Sequence, residues 1–432
     1  MLCFPPALVA DQPPLPPAAP VSVDLAGALA RAKAENALLK AAVARVEERR
    51  SQITSTRADA LPQLTAIGDF TRTRDVSILN SGFADSAAQF GLSPSSLVGA
   101  RSVYTTQLTL VQPIFQWGKL TGAVEVAKVG EAEAQAAFTT AELDILHGVA
   151  KAYLGVLNAK AQLDVVKVRE EAARKLQEDI QNKLDAQSAT QLDLLRAQAE
   201  LQGVLPESLQ AQAAYQRALE VLNGQLGLDP RTPLDVAGLP PAAVPAELKG
   251  TTRSELRQLD EQARALKIND RILAADMRPK LDFSAAYGYQ TGKTDLLFKE
   301  PYDTWRVSLT LKVPLFDGLR SSGKRAQNRA LLEQIQQTRV DTIRQLQVQE
   351  ASARRELDKA AALQEAATKA HDAGLEALRV SREAFAEGLI SSLDLLQAER
   401  QERQLESQRV QAQLGVWAAL FDLRRALGLA PL

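Results

Sequence analysis

Gln112-Pro113-Ile114-Phe115 returns as Val313-Pro314-Leu315-Phe316, and the interval of 201 positions between them fixes the reading of the whole chain. The same interval carries Leu192-Asp193-Leu194-Leu195 onto Leu393-Asp394-Leu395-Leu396, and Leu226-Gly227-Leu228 onto Leu427-Gly428-Leu429. A register held from the first block to the last without a gap marks an internal duplication, and a repeat constrains architecture before local structure is considered. Upstream, Ala58-Asp59-Ala60-Leu61-Pro62-Gln63-Leu64 matches Ala275-Asp276-Met277-Arg278-Pro279-Lys280-Leu281 at an interval of 217. The first copy therefore holds 16 extra residues between Leu64 and Gln112, where a longer loop is expected.

The copies run over residues 24–228 and 251–429, each one structural unit, joined by a linker at 229–250. Pro230, Pro233, Pro240, Pro241 and Pro245 in that linker stop helices. Residues 1–23, with seven prolines from Pro5 to Pro20, read as disordered or as a residual export signal whose tail is Leu2 to Ala10.

Within each copy the apolar period changes from helix to strand and back. Leu281, Phe283, Ala285, Tyr287 and Tyr289 alternate with mostly polar residues, and Trp305, Val307, Leu309, Leu311 and Val313 do the same, which predicts two amphipathic strands. The first copy matches with Leu64, Ala66, Gly68 and Phe70, then Tyr104, Thr106, Leu108 and Leu110, although Ile67 falls on the polar face. After each hairpin the spacing turns helical, and no proline interrupts Lys119 to Leu184 or Arg320 to Ala386. Those stretches hold 66 and 67 residues, so each helix reaches roughly 100 Å. Shorter helices follow at Gln191 to Leu226, with Pro206 as a kink point, and at Ser391 to Leu427; others precede the strands at Asp24 to Ala60 and Thr251 to Met277.

Composition removes several classes of function. Lys plus Arg number 51 against 52 for Asp plus Glu, so there is no basic excess to attract nucleic acid. One cysteine, Cys3, cannot form an internal disulfide, and two histidines, His147 and His371, are too few for a zinc site. No phosphate loop, nucleophile elbow or paired metal-ligand spacing occurs, so neither an enzyme nor a cofactor is expected. No apolar run is long enough for a membrane-crossing helix, so any membrane segment must be built from strands.

Strands of about ten residues suit a tilted bilayer crossing, with apolar side chains toward lipid and polar ones toward a lumen. A soluble sheet with one wet face has the same alternation. The long helices favour the first reading, and four strands cannot close a barrel, so several chains must share one. A soluble coiled-coil scaffold is the rival; it accounts for the helices but leaves the duplicated strands without a reason.

Over Asp24 to Leu429 the chain resembles the TolC-like outer-membrane efflux proteins. The carriers are Pro113-Ile114-Phe115, Pro314-Leu315-Phe316-Asp317-Gly318, and the segment Gly388 to Ala398, set in the duplicated order. The resemblance implies a mainly α protein with a small β-barrel portion: a homotrimer with a twelve-stranded transmembrane barrel in the outer membrane and an α-helical tube in the periplasm. Cargo would come from an inner-membrane pump through a periplasmic adaptor. It also implies strand-to-helix junctions at Pro113, Phe115, Pro314, Phe316 and Gly318, a helix turn at Gly388, and a pore entrance ringed by Asp394. Gln397 stands where a second acid can occur, and Asp193 is the repeat mate of Asp394, although Gln187 replaces glycine in its turn. An Asp in the first turn of a helix is also what the helix dipole favours. Trp117 and Trp305 lie near strand ends, suited to interfacial anchoring or to ordinary packing, whereas Trp417, Leu414 and Phe421 read as core.

Overall fold

The computed structural model describes residues 21–74, 100–188, 190–242, 248, 250–387, 389–390 and 392–432. The N-terminal segment with Cys3, residues 75–99 of the first copy's longer hairpin, and Gly388 lie outside these. The elements, in order, are β1 (Val21–Val23), α1 (Leu25–Glu35), α2 (Ala37–Ala58), β2 (Gln63–Thr73), β3 (Arg101–Phe115), α3 (Lys119–Asp185), α4 (Gln191–Gln225) and β4 (Leu234–Val236). They continue with α5 (Ser254–Ala274), β5 (Lys280–Thr291), β6 (Asp303–Lys312), α6 (Arg320–Ala386) and α7 (Ser392–Ala426). The long helices α3 and α6 hold 67 residues each and the shorter α4 and α7 hold 35 each.

One expectation needs correction. The segment from Asp24 is broken at Asn36, whose backbone is extended and whose carboxamide accepts from the Leu38 and Leu39 N–H groups while donating to the Gln225 carbonyl. One buried Asn thus stops α1 and starts α2, because its side chain meets the orphan donors of a new helix. Pro206 lies inside α4, which runs as one helix from Gln191 to Gln225.

The chain forms two compact units. One takes the described parts of residues 1–44, 136–257 and 340–432. Its core joins Ala28 and Ala32 of α1 to Val149, Tyr153 and Val156 of α3, Leu222 of α4 and Phe421 of α7. The alanines, fully buried, let α1 approach closely, and burial of each large apolar partner contributes about 1.5–3 kcal/mol. Trp417 packs against Phe421 and donates to the Pro240 carbonyl at 2.9 Å. Tyr153 donates its hydroxyl to the Ala237 carbonyl at 2.6 Å, just past β4, which pairs in parallel with β1. His147 is buried with Nε2 at 2.8 Å from the Leu429 carbonyl; burial lowers its pKa, so it sits neutral in a structural role. The second unit takes the described parts of residues 45–135 and 258–339. It contains the antiparallel sheet β2-β3-β5-β6. Beside the sheet, Arg325 grips Asp270 through two hydrogen bonds, and the buried Asn328 is satisfied by Asn269 and the Leu266 carbonyl.

In the first unit Glu255 accepts from Arg253 at 2.7 and 3.1 Å and from Arg425 at 3.1 Å, while Arg425 also reaches Asp144 at 2.6 Å. Burial raises the Glu255 carboxyl, but these donors outweigh burial and hold it down at about 2. A carboxylate depressed from about 4.5 to about 2 stabilises the fold on the order of 3 kcal/mol above pH 4.5. That stabilisation is lost as pH falls through the folded value. Glu255→Gln is therefore expected to lower stability at neutral pH and to flatten its decline between about pH 4.5 and 2, read from thermal melts across that range.

Candidate functional site

The sheet carries its side chains in register. Leu64 faces Leu110, Ala66 faces Leu108, and Phe70 faces Tyr104; across the centre Leu110 faces Ala285 and Leu108 faces Tyr287. Tyr287 then faces Trp305, Phe283 faces Leu309, and Leu281 faces Leu311. Because pleat alternation has period two, these partners share one face, which is apolar over all four strands. It is also bare: Leu64 is 68% exposed, Trp305 74%, Leu309 64% and Leu311 63%. Ordinary soluble surfaces do not expose a contiguous apolar patch of this kind. The opposite face presents Thr65, Asp69, Thr105, Gln107, Thr109, Ser284, Gln290, Arg306, Ser308, Thr310 and Lys312, with Ile67, Val103, Val111 and Ala286 its apolar exceptions. Trp305, the third residue of β6, lies near the start of that strand and on its apolar face.

Both outer strands of the sheet, β2 and β6, are edges. Between the two sequence copies β3 pairs with β5, and Gly288 makes that pairing possible: an added Cβ would lie 2.0 Å from the Thr106 carbonyl oxygen. The ladder shifts register between Pro113 and Phe115, where proline has no N–H to give.

At the junctions strand turns into helix through two successive left-handed residues, Trp117-Gly118 in the first copy and Gly318-Leu319 in the second. Each pair uses one glycine, but in different places, so Trp117 and Leu319 each carry a cost of about 1 kcal/mol. Trp117 is held in place. Its ring packs edge-on against Phe115, its Nε1–H donates to the Pro279 carbonyl at 2.7 Å, and Arg278 lies 5.0 Å over its face. Beside it Lys119 pairs with Asp276 at 2.6 Å; burial raises the Asp276 carboxyl, but Lys119, Lys280 and Lys324 outweigh it and hold it below the usual range. The second junction is capped by Asp317, which accepts from Ser321 N–H and hydroxyl. Its apolar residues face outward instead: Leu315 is 89% exposed and Phe316 79%. Neither the paired left-handed residues nor the Trp117 contacts are legible in the repeat, because Trp117 aligns with Gly318 and Gly118 with Leu319, so no aligned position of the pair keeps its residue type.

The remaining candidates sit at helix starts in the other unit. Asp193 and Asp394 both fall in the first turn of their helices, α4 and α7. Asp193 is bound into a capping box: it accepts from the Thr190 N–H at 3.1 Å and hydroxyl at 2.6 Å, and Thr190 accepts from the Asp193 N–H. The Thr190 contact holds its carboxyl below the usual range. Asp394 and Gln397 are both exposed. The turn before Asp193 closes with Gln187 left-handed (φ 58) and Ser188 N–H donating to the Lys183 carbonyl; the matching bond, Leu389 N–H to the Ala384 carbonyl, exists in the second copy. No group of metal-ligating side chains occurs among the described residues.

A family model described as outer membrane efflux protein matches residues 28–228 and again 251–429. The alkaline protease secretion protein AprF of Pseudomonas aeruginosa is 24% identical over 69% of this chain and 64% of its own length. The pyoverdine export outer membrane protein OpmQ of the same organism is 26% identical over 73% of this chain and 66% of its own. The matches thus span just under two thirds of these relatives. Among solved structures, the CmeC outer membrane channel of Campylobacter jejuni superposes with a TM-score of 0.79 at 16% identity, over 94% of this chain and 85% of that one, so the mainly helical fold with its small sheet is shared.

Gly288→Ala is expected to drive a methyl into the Thr106 carbonyl, cost about 1–3 kcal/mol and lower the yield of assembled protein in membranes, whereas Gly68→Ala, in open space, leaves it unchanged; both are read by membrane fractionation and immunoblotting. Asp193→Ala removes half of a capping box and is expected to speed proteolytic cleavage around residues 183–195 without altering assembly.

Proposed function

Since the chain belongs to the outer membrane efflux protein family, we propose that it is the outer-membrane duct of an export system, passing cargo that an inner-membrane pump and a periplasmic adaptor deliver. The observation that carries this reading is the sheet: one continuous bare apolar face, one polar face, and two open edges. Buried in hydrocarbon, the apolar face becomes favourable, and the polar face turns to a water-filled lumen.

The family resemblance implies three copies, and the strand count is consistent with that number. One chain supplies four strands. Two copies would make eight, a barrel whose interior side chains fill. Three make twelve, which leaves a channel, and that trimer is the assembly proposed here. The helices α3 and α6, each about 100 Å long, exceed any bilayer and extend the duct into the periplasm. Asp394, exposed at the start of α7, contributes one carboxylate per copy to a ring at the periplasmic entrance, and the neutral Gln397 leaves that ring single.

Reconstituted in planar bilayers, the protein is expected to give discrete conductance steps that favour cations, and Asp394→Ala to reduce that preference. Absence of conductance from detergent-extracted oligomers would overturn the duct; unchanged selectivity in Asp394→Ala would confine Asp394 to its helix-end role.

A further inference from the structure

The contact between β3 and β5 joins the end of the first copy's hairpin to the start of the second's. Continuing around a closed barrel, the next contact joins β6 to β2 of a neighbouring chain, which is again second hairpin strand against first. The duplication supplies the rule that converts one contact into the other: residues of the first copy advance by 201 and residues of the second retreat by 217. Resting on the shared-barrel reading, we propose that the seam between chains reproduces the internal seam residue for residue, locked by an ion pair between Arg320 and Asp59 of the neighbouring copy.

The strands fit the rule. Leu108 opposite Tyr287 becomes Leu309 opposite Phe70, Leu110 opposite Ala285 becomes Leu311 opposite Gly68, and Gln107 opposite Gly288 becomes Ser308 opposite Thr71. In these rows apolar residues meet apolar or small ones and polar meet polar; farther along the strands the rule sets Val307 opposite Arg72 and Trp305 opposite Arg74, and on the other face Lys312 opposite Ile67. A slip of one residue would reverse every side chain and is excluded by that match. A slip of two would preserve the faces, so something outside the strands must choose between registers.

The charge pair makes that choice. Inside the chain Lys119, at the start of α3, bonds Asp276 at 2.6 Å. The rule converts these to Arg320, at the start of α6, and Asp59, just past α2; both signs are retained. Both residues are exposed and neither has an ionic partner among the described residues. By contrast the internal bridge of Arg271 with Glu125 converts to Thr54 and Ala326, without charge, so the retained pair is specific to the junction. A slip of two residues would move the partners apart by about 7 Å, beyond ion-pair reach. Helix approach agrees. Gly122 of α3 lies so close to Ile272 that an added Cβ would sit 2.8 Å from its side chain; its counterpart Gly323 faces open space in one chain and would meet Ser55, a small residue, in the next. The bare Leu315, Phe316 and Leu319 occupy the junction that this seam would cover.

Disulfide capture in native membranes tests the register. In a Cys3→Ser background, Ser308→Cys is combined with Thr71→Cys, or with Asp69→Cys or Thr73→Cys. Within one chain β6 and β2 are separated by two strands, about 14 Å, so oxidised products are intermolecular. The Thr71 combination is expected to give several-fold more linked multimer than the other two. More product with Asp69 or Thr73 would overturn the register while leaving a shared barrel intact; no product with any would overturn the shared barrel itself. Separately, Asp59→Lys and Arg320→Asp are each expected to lower the temperature at which the oligomer dissociates in SDS, and the double variant to restore it. A double variant no more stable than the weaker single one would overturn the ion pair.

Discussion

Unpaired backbone groups at the two edges of the sheet govern everything else in this protein. Along β2 and β6, alternate residues turn both N–H and C=O away from their only neighbour. In water those groups are solvated at little cost, but in hydrocarbon each costs several kcal/mol, so about ten groups along one ten-residue edge forbid insertion of a lone chain. The sheet cannot solve this by itself, since four strands are too few to curve closed. The bare apolar face makes the same demand from the other side, because leaving it in water exposes a stripe of Leu, Phe, Tyr and Trp. On the proposed shared-barrel reading, membrane insertion and association of copies are therefore one event, driven by the same surface.

The duplication is the economical source of such an assembly. A gene that encodes the hairpin and its helices twice presents two kinds of seam, one inside the chain and one between chains, built from related residues. The internal seam is cemented: Trp117 is tied to Pro279 and stacked under Arg278, and Lys119 is tied to Asp276. The second junction keeps the left-handed turn and the basic residue but replaces Trp117 by Gly318, leaving Leu315 and Phe316 outward. On the proposed reading, divergence between the copies thus falls where one seam is permanent and the other forms after synthesis.

Much of this is legible in the sequence, for identifiable reasons. Uninterrupted helical spacing and the absence of proline place α3 and α6 within a residue of their observed ends. Period-two alternation places all four strands, because a face that meets lipid must be apolar at every second residue. The break at Asn36 is hidden, since a helical pattern on both sides conceals a cap whose side chain folds back on the backbone. Pro206 sits on the exposed side of α4, where the helix continues through it. At the candidate site, Asp193 and Asp394 share sequence position and first-turn placement; the spacing of Thr190 and Asp193 is that of a capping box, while the bonds that close it are read from the coordinates. The turn conformations at Trp117 and Leu319 are invisible for a simple reason: glycine normally announces a left-handed backbone, and at those two positions it is absent.

Amide hydrogen exchange of the protein in lipid nanodiscs, resolved by peptide, addresses the dependence on edge pairing most directly. Segments 63–73 and 303–312 are expected to be protected as strongly as the interior strands 101–115 and 280–291, since all four would lie inside a closed ladder. Rapid exchange along the two outer segments, with protection confined to the inner pair, would mean that the edges stay open in lipid and would contradict the shared barrel.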